Sequence, residues 1–418
     1  MKMYRFPDNR ITKIGIGLLL FSLLVLSRDT LVFSCILGVE MTYLCTIGIL
    51  LFTGMIFLYV NRKNLKSVFT DQRLLLVLFT TVIMLLPMIW KRDWQMMYFS
   101  ILLCVYISVF LSYFLNSKEI AKCFIWITLV LAVWSIFATY ILRELPDRGL
   151  LNVPVFFNVK EKDFYNFGFA FVSVDFQEYR NWGIFREPGV YQYFLILPLY
   201  LNNYVVEWEK RNFQLLVNVV LSLAMVLTVS TNGVVELALL IIVIFFDKKL
   251  YKNTAVLWGA IVCTGLLLAA VIFSVISESF LYDYLYKVFA KIFLMTGSTT
   301  HRLDAIFTDL KFFLENPFFG EKIATVLYSV KNNTTSTMTM FAFFGIVGGL
   351  FHVVSWFAFV WSNQRSVWSN LALLAILFIA FNTQFLNANL FFWLFPMMAL
   401  VERGLPFLQA KRIPKAGE

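Results

Sequence analysis

Charged residues are scarce in this chain of 418 residues. They make up 14% of it, whereas hydrophobic residues make up 60% and Phe alone occupies 46 positions. A soluble chain carries about a quarter charged residues and under half apolar ones. The apolar residues exceed what one core can absorb, and they fall in runs near the ~20 residues that a helix needs to cross a bilayer. The composition therefore excludes a soluble enzyme and predicts a polytopic membrane protein.

Cysteine is also rare, and the residue patterns of several common sites are missing. The five cysteines lie in or beside apolar runs without C-x-x-C spacing, so neither a disulfide framework nor a metal site is expected from them. The sequence has no D-x-D pair and no Walker, GxGxxG, HExxH or GxSxG motif. A transferase that binds a diphosphate through a metal usually shows paired acidic ligands. A phosphate-handling site in this chain is therefore expected to use arginine, with no metal and no cofactor.

The apolar runs predict an all-α fold with about twelve transmembrane helices. The predicted spans are Ile14–Ser27, Val39–Val60, Leu74–Trp90, Met96–Leu115, Cys123–Leu142, Val190–Val206, Leu215–Ser230, Val234–Phe246, Thr254–Ile276, Thr337–Trp361, Val367–Phe385 and Leu390–Val401. Two long polar segments remain, Arg143–Gly189 and Ser277–Ser336. We expect residues 1–418 to form a single integral membrane domain in which these two segments are large loops.

The distribution of Lys and Arg predicts the orientation of the spans. The termini and alternate connections carry most of the basic residues, whereas the short connections on the other side carry only Arg28, Lys91 and Arg92. Because basic residues in short loops stay on the cytoplasmic side, both termini are expected there and both long segments outside. The net charge of +10 then reflects topology and not a nucleic-acid surface. The basic N-terminus resembles a signal peptide, but no small-residue cleavage pattern follows, so an uncleaved first helix is expected.

The first long segment ends in the sequence Arg-Asn-Trp-Gly-Ile-Phe-Arg-Glu-Pro-Gly, residues 180–189. Arginine suits bidentate contact with phosphate and stays charged at any working pH. Arg180 and Arg186 therefore form a candidate phosphate site at the membrane surface. The alternative is an interfacial anchor, in which Trp182 lies in an aromatic belt and Arg186 pairs with the adjacent Glu187.

The second long segment contains a predicted amphipathic helix. From Leu303 to Phe313 apolar residues recur every three or four positions, after a Ser/Thr run and before Pro317. His301 and Arg302 stand at the start of this helix, where free backbone N–H groups and the helix dipole favour an anion. The alternative is a histidine that is structural or solvated.

Two further polar patches border predicted spans. Glu236 lies one turn into the eighth apolar run, after the sequence Ser-Thr-Asn-Gly at residues 230–233. An ionisable residue at membrane depth is costly, so it indicates either a functional role or a side chain that snorkels outward or pairs with an external arginine. Asn332 and Asn333 precede the tenth span, where an ordinary polar helix cap is the alternative to a functional role.

Several of these patterns resemble the O-antigen polymerase and ligase superfamily, in particular the Wzy-type polymerases of surface polysaccharides. Residues 180–189 resemble its R-x-x-G-x-F-x-E-P-G pattern, and residues 230–233 resemble its S-T-x-G pattern. Arg302 with the Asn-Pro-Phe-Phe-Gly run at 316–320 is similar to R…N-P-hydrophobic-hydrophobic-G. Asn332, Asn333 and Thr334 before the tenth span, followed by Gly345 and Gly348 within it, are similar to the family's (H/S)-N-(S/T)…G-x-x-G pattern. Ligases place a His before that Asn, where this chain has Lys331 or Asn332, so the polymerase branch is favoured.

The resemblance implies a GT-C-like fold and polymerisation of polyprenyl-diphosphate-linked oligosaccharide repeat units on the external face of the bacterial inner membrane. It implies diphosphate binding by Arg180 and Arg302, with Arg186 as a third candidate. Glu187 is the first candidate for the catalytic base and His301 the second. The implied secondary substrate contacts are Asn232, Glu236, Asn332 and Asn333.

The implied partners are the lipid-linked oligosaccharide and the bilayer, with a chain-length regulator and a flippase of the same pathway, and no nucleic acid. Two alternatives remain open at this point. One is a ligase that transfers finished glycan to lipid A core. The other is a flippase or transporter of lipid-linked oligosaccharide, although transporters usually place charges near the middle of several spans.

Overall fold

The computed structural model describes residues 10–32, 72–113, 115–157, 163–174, 179–254, 298–329 and 334–403, with a few isolated positions between 41 and 55. These residues are mostly helical. The predicted span Val39–Val60 lies almost wholly outside the described residues. The predicted span Thr254–Ile276 and the candidate residues Asn332 and Asn333 lie outside them as well.

Helices form at the other ten predicted spans, with ends a few residues from the predicted ones. The helices are α1 (Arg10–Val25), α2 (Gln72–Lys91), α3 (Met96–Leu111), α4 (Ser117–Phe137), α5 (Glu144–Asp147), α6 (Pro188–Tyr204), α7 (Arg211–Leu227), α8 (Thr231–Asp247), α9 (Ser298–Glu315), α10 (Ile323–Ser329), α11 (Thr337–Val360), α12 (Val367–Asn382) and α13 (Leu390–Arg403). A π-helical turn joins α4 to α5, and α9 contains the predicted amphipathic helix.

Three stretches of the described helices are long and apolar enough to cross a membrane, namely 73–91, 117–147 and 337–360. The centre of the bundle is formed by α6 and α13, in which 15 consecutive residues from Pro188 and 10 from Leu390 are buried. The helices around them turn apolar side chains outward: Leu75 is 67% exposed and Val130 62%. A helix bundle with an apolar exterior is the pattern expected of an all-α membrane protein.

The first long segment contains a small antiparallel sheet that the all-α prediction omitted. Its strands β1 (Val155–Phe157), β2 (Asp163–Asn166) and β3 (Phe171–Ser173) lie in sequence order, with Phe156 opposite Phe164 and Tyr165 opposite Val172. Strands of three or four residues are too short to show the alternation that identifies a strand in a sequence.

Helix α11 is kinked at Gly345, whose φ of 64° and ψ of −161° lie outside the helical region. A Cβ at this position would overlap the carbonyl group of Phe318, so the close approach requires glycine. The kink frees backbone groups of α11, and Ile346 N donates to Pro317 O over 2.7 Å. The Asn-Pro-Phe-Phe-Gly run at 316–320 therefore packs its backbone into the kink.

The carbonyl groups freed on the other side of the kink are also satisfied. Glu321 N donates to Ala342 O over 2.7 Å, and Lys91 Nζ donates to Phe343 O over 2.6 Å and to Glu321 O over 2.8 Å. Lys91, at the end of α2, thus joins that helix to the kinked helix. These bonds fix the segment that follows α9 against the bundle.

Candidate functional site

The candidate residues lie at one end of the bundle, which we call the loop end. There α1, α2, α7 and α12 end, and α6, α8, α11 and α13 begin. Hydrogen bonds tie these helix ends together: Leu31 N donates to Ile184 O over 2.8 Å, and Ser336 N donates to Phe381 O over 3.2 Å. The connections that the sequence analysis assigned to one side of the membrane therefore meet in the fold.

Most residues of the segment 180–189 are buried at the loop end, where backbone hydrogen bonds hold the segment in place. Phe171 N in β3 donates to Gly183 O over 2.8 Å, and Trp182 packs edge-on against Phe164 with ring centroids 5.1 Å apart. Trp182 is only 4% exposed. The interpretation of Trp182 as an interfacial belt residue was therefore wrong, because the small sheet covers the indole.

Gly183 is required by its position. Its φ is +57°, and a Cβ would come within 2.9 Å of the Tyr191 ring. Asn181 supports the turn, since its Oδ1 accepts from Gly183 N over 3.1 Å while its own backbone N donates to Leu227 O over 2.9 Å. The turn sets the direction in which Arg180 leaves the segment.

Arg180 reaches the turn between α7 and α8. Its Nε donates to Thr228 O over 2.9 Å, and the side chain is half-buried. Thr228 lies just before residues 230–233, the second of the candidate sequence patterns. The fold thus brings the first arginine of one motif to the second motif.

Arg186 is joined to a different carboxylate from the one that adjacency indicated. Its Nε and Nη2 both lie 3.1 Å from Oδ1 of Asp29, which is buried just after α1. The other carboxylate oxygen of Asp29 accepts from Asn389 Nδ2 over 2.7 Å. The expected pairing of Arg186 with Glu187 is replaced by a bridge that connects α1, the start of α6 and the start of α13.

Arg302 and Glu187 lie within electrostatic range of each other although they are more than a hundred residues apart in the sequence. Glu187 is the residue before α6, with extended backbone and a side chain that does not cap the helix. The Arg302 guanidinium, on the first turns of α9, lies in the field of the carboxylates of both Glu187 and Glu236. Burial lowers the pKa of Arg302 from its ordinary value, and the two carboxylates raise it. An arginine keeps its charge under these opposing influences because its ordinary pKa is so high.

Glu236 is fully buried on the first turns of α8, so it does not snorkel outward. Its Oε1 accepts from Gln192 Nε2 of α6 over 3.2 Å, and Gln192 also donates to Thr383 Oγ1 over 3.1 Å and accepts from Ser230. Among the described residues, Glu236 Oε2 has no hydrogen-bond partner. Arg302 is the arginine whose charge acts on the Glu236 carboxylate, but within the described part of the chain no ion pair joins the two side chains.

The remaining described candidates, His301 and Asn232, are not fully buried as Glu236 is. His301 is exposed, whereas its neighbour Arg302 is half-buried, because successive residues on a helix point in different directions. Asn232 is half-buried on the first turn of α8. In the described part of the chain, no cluster of three or more His, Cys, Asp or Glu side chains is arranged to hold a metal ion.

Sequence reasoning missed several polar residues at this site. Gln192 lies inside an apolar run, and Asp29 and Asn389 stand in short polar stretches next to predicted spans. The sequence did contain a sign of a polar site near Asn389. Residues 382–389, Asn-Thr-Gln-Phe-Leu-Asn-Ala-Asn, include five polar residues between two spans. Gln384 from this stretch packs against Gly189, where a Cβ would overlap its amide.

Two arginines and two carboxylates from three separate parts of the chain thus lie at the loop end, beside a network of buried amide and hydroxyl groups: Arg180 bonds to Thr228 O, Glu236 to Gln192, and Arg302 lies within electrostatic range of Glu187 and Glu236. Such an arrangement offers fixed positive charge for an anion and carboxylate oxygens that accept protons. No family model, curated protein or solved structure matches this chain.

Proposed function

We propose that the chain is a polytopic membrane glycosyltransferase that polymerises polyprenyl-diphosphate-linked oligosaccharide repeat units into a surface polysaccharide. It would work on the external face of the bacterial inner membrane, with about twelve spans, a GT-C-like fold and both termini in the cytoplasm. The observation that supports the proposal is that Arg302 lies within electrostatic range of Glu187 at the end of an apolar helix bundle where Arg180 also bonds to the turn before α8.

Arg180 and Arg302 suit a diphosphate that is attached to a lipid. Guanidinium groups bind phosphate oxygens bidentately, and a partly buried guanidinium acts in a medium of lower dielectric than water. The apolar exterior of the bundle allows the polyprenyl chain to remain in the bilayer while its headgroup reaches the loop end. Arg186 is the third candidate, although its guanidinium already neutralises Asp29.

In the proposed reaction the acceptor sugar hydroxyl attacks the anomeric carbon of the donor glycan. A new C–O glycosidic bond forms, the bond from the anomeric carbon to the diphosphate oxygen breaks, and its electron pair stays on the diphosphate. Glu187 takes the hydroxyl proton, and His301 is the second candidate for this role. Arg180 and Arg302 stabilise the negative charge that develops on the leaving diphosphate.

The proposal is tested by complementing a deletion strain with single variants. Arg302→Ala and Arg180→Ala are each expected to reduce long polymer by about 10²-fold, the usual effect of removing one donor to developing charge. Arg302→Lys should recover little, because a lysine cannot bind bidentately. The matched control is Arg148→Ala, since Arg148 is an exposed arginine of the same long segment that pairs only locally with Glu144.

Lipid extracts of the deletion strain separate the alternatives. Single repeat units on polyprenyl diphosphate at the external leaflet are expected for a polymerase. Finished polymer that stays attached to the polyprenyl carrier would instead identify a ligase, and repeat units trapped at the cytoplasmic leaflet would identify a flippase. Normal amounts of long polymer with both arginines replaced would refute the proposed site.

A further inference from the structure

Asp309 is a fully buried carboxylate on α9, the helix that carries Arg302. Its Oδ2 accepts from the hydroxyl group of Thr335 and lies 2.9 Å from the hydroxyl group of Thr339, which also contacts Thr335 O and lies 2.8 Å from the Thr335 hydroxyl group. Thr335 precedes α11 and Thr339 lies on its first turn. We call Asp309, Thr335 and Thr339 the clasp, because they join α9 to the start of α11.

Arg302 and Asp309 lie on the same face of α9. They are seven residues apart, which is close to two turns of helix. Between them lies Ala305, which is fully buried, whereas Asp304 and Lys311 on the same helix are exposed. The face that the clasp fastens to the bundle is therefore the face from which Arg302 reaches toward Glu187 and Glu236.

A buried carboxylate is costly unless it is hydrogen-bonded, and contacts from one Asp309 oxygen to the hydroxyl groups of both Thr335 and Thr339 require one register between α9 and the start of α11. A slide of α9 by one residue moves its side chains by about 1.5 Å along the axis and by about 100° around it. Such a slide breaks the clasp and also removes the Arg302 guanidinium from the two carboxylates. Apolar contacts alone restrain a slide far less, because they are not directional.

We propose that Asp309 is a positioning residue, which through Thr335 and Thr339 fixes the register of α9 and thereby keeps Arg302, on the same face of that helix, within electrostatic range of Glu187 and Glu236. Its consequence for diphosphate binding rests on the proposed function, whereas its consequence for the position of Arg302 does not. Asp309 touches no substrate in this scheme and acts only through Arg302.

The first experiment is a double-mutant cycle on the purified full chain in nanodiscs, with undecaprenyl diphosphate as the probe. Asp309→Ala is expected to weaken binding about tenfold, the scale of coupling between groups that act together. In the Arg302→Ala background the same change should have no further effect. Equal losses in both backgrounds would overturn the positioning role and leave a general structural one.

Matched variants distinguish a specific loss of probe binding from a loss of folding. Thr339→Ser retains the hydroxyl group and should bind the probe as the unmodified chain does, while Thr339→Val should lose affinity in the same way as Asp309→Ala. Asp304→Asn is the control on the exposed face of α9 and should change nothing. Normal binding of the probe by Thr339→Val would refute the clasp.

The second experiment measures how close residue 302 lies to residue 187, and it needs no ligand. Arg302→Cys and Glu187→Cys are combined in a background that lacks the five native cysteines and treated with a short bifunctional thiol reagent. Adding Asp309→Ala should reduce the cross-linked fraction several-fold, and an unchanged fraction would overturn the proposal. If the unmodified chain fails to bind undecaprenyl diphosphate, the proposed function fails while the cross-link still decides the clasp.

Discussion

At the scale of single residues, Asp29 shows how a buried charge is stabilised by partners far away in the sequence. Its carboxylate is 3% exposed and is bonded by Arg186 on one oxygen and Asn389 on the other. Its backbone O also accepts from Arg186 N over 3.0 Å. Three separate parts of the loop end therefore depend on one side chain.

Asp29→Ala is expected to destabilise the protein by about 1–3 kcal/mol, because it leaves the amide of Asn389 and part of the Arg186 guanidinium without their acceptor. The measurement is the midpoint of thermal unfolding in detergent. The control is Lys118→Ala, which removes the exposed Lys118–Glu207 pair and should leave the midpoint unchanged. A midpoint for Asp29→Ala equal to that of the control would contradict this role.

The sequence predicted the arginine cluster at residues 180–189 but not the partner of Arg186. Glu187 was the partner suggested for Arg186 because the two residues are adjacent in the sequence. The backbone there is extended, with φ of −151° at Glu187, and successive side chains on an extended chain point to opposite sides. The true partner lies 157 residues earlier, and no local pattern in one sequence identifies such a contact.

At the scale of elements, the kink in α11 depends on one glycine. The backbone conformation of Gly345 is almost closed to other residues, and the carbonyl group of Phe318 occupies the space that a Cβ would need. The kink accepts bonds from Lys91 Nζ and Glu321 N, so it joins α2, α11 and the segment after α9.

Gly345→Ala should therefore destabilise the protein by at least ~1–3 kcal/mol, since the strained conformation must be kept or the kink must straighten. Thermal unfolding in detergent checks it. Gly17→Ala is the matched control, because no atom lies within 4 Å of the added Cβ in α1 and alanine favours the helix. Equal midpoints for the two variants would show that the kink tolerates a side chain.

Most helices could be predicted from the sequence, because an uninterrupted apolar run of membrane length is rare outside membrane-spanning helices. The helix predicted over Leu303–Phe313 was confirmed for a similar reason, since its three- and four-residue spacing continues over several turns, although Leu303 and Phe307 of its apolar stripe are exposed. The kink at Gly345 was not predicted, because glycine in an apolar helix also allows close packing between straight helices. The clasp was not predicted either, because Asp309 looks like any polar residue on an amphipathic helix until its burial is known.

At the scale of the whole molecule, polar residues and their contacts are found at both ends of the helix bundle. The loop end holds Arg180, Glu187 and Arg302. At the opposite end, Lys248 Nζ donates to Asn203 Oδ1 over 3.3 Å and Arg403 Nη1 to Phe359 O over 3.4 Å. These two contacts join connections that are predicted to be cytoplasmic because they are rich in Lys and Arg.

Single cysteines on the two ends should therefore react differently in spheroplasts. Leu150→Cys, at a 70% exposed position in the first long segment, should be labelled by a membrane-impermeant maleimide. Gln364→Cys, at an exposed position between α11 and α12, should be labelled only after the membrane is permeabilised. Both variants are made without the native cysteines, so that each carries one thiol. The reverse result would place Arg180 and Arg302 in the cytoplasm, where an external polymerase cannot use them.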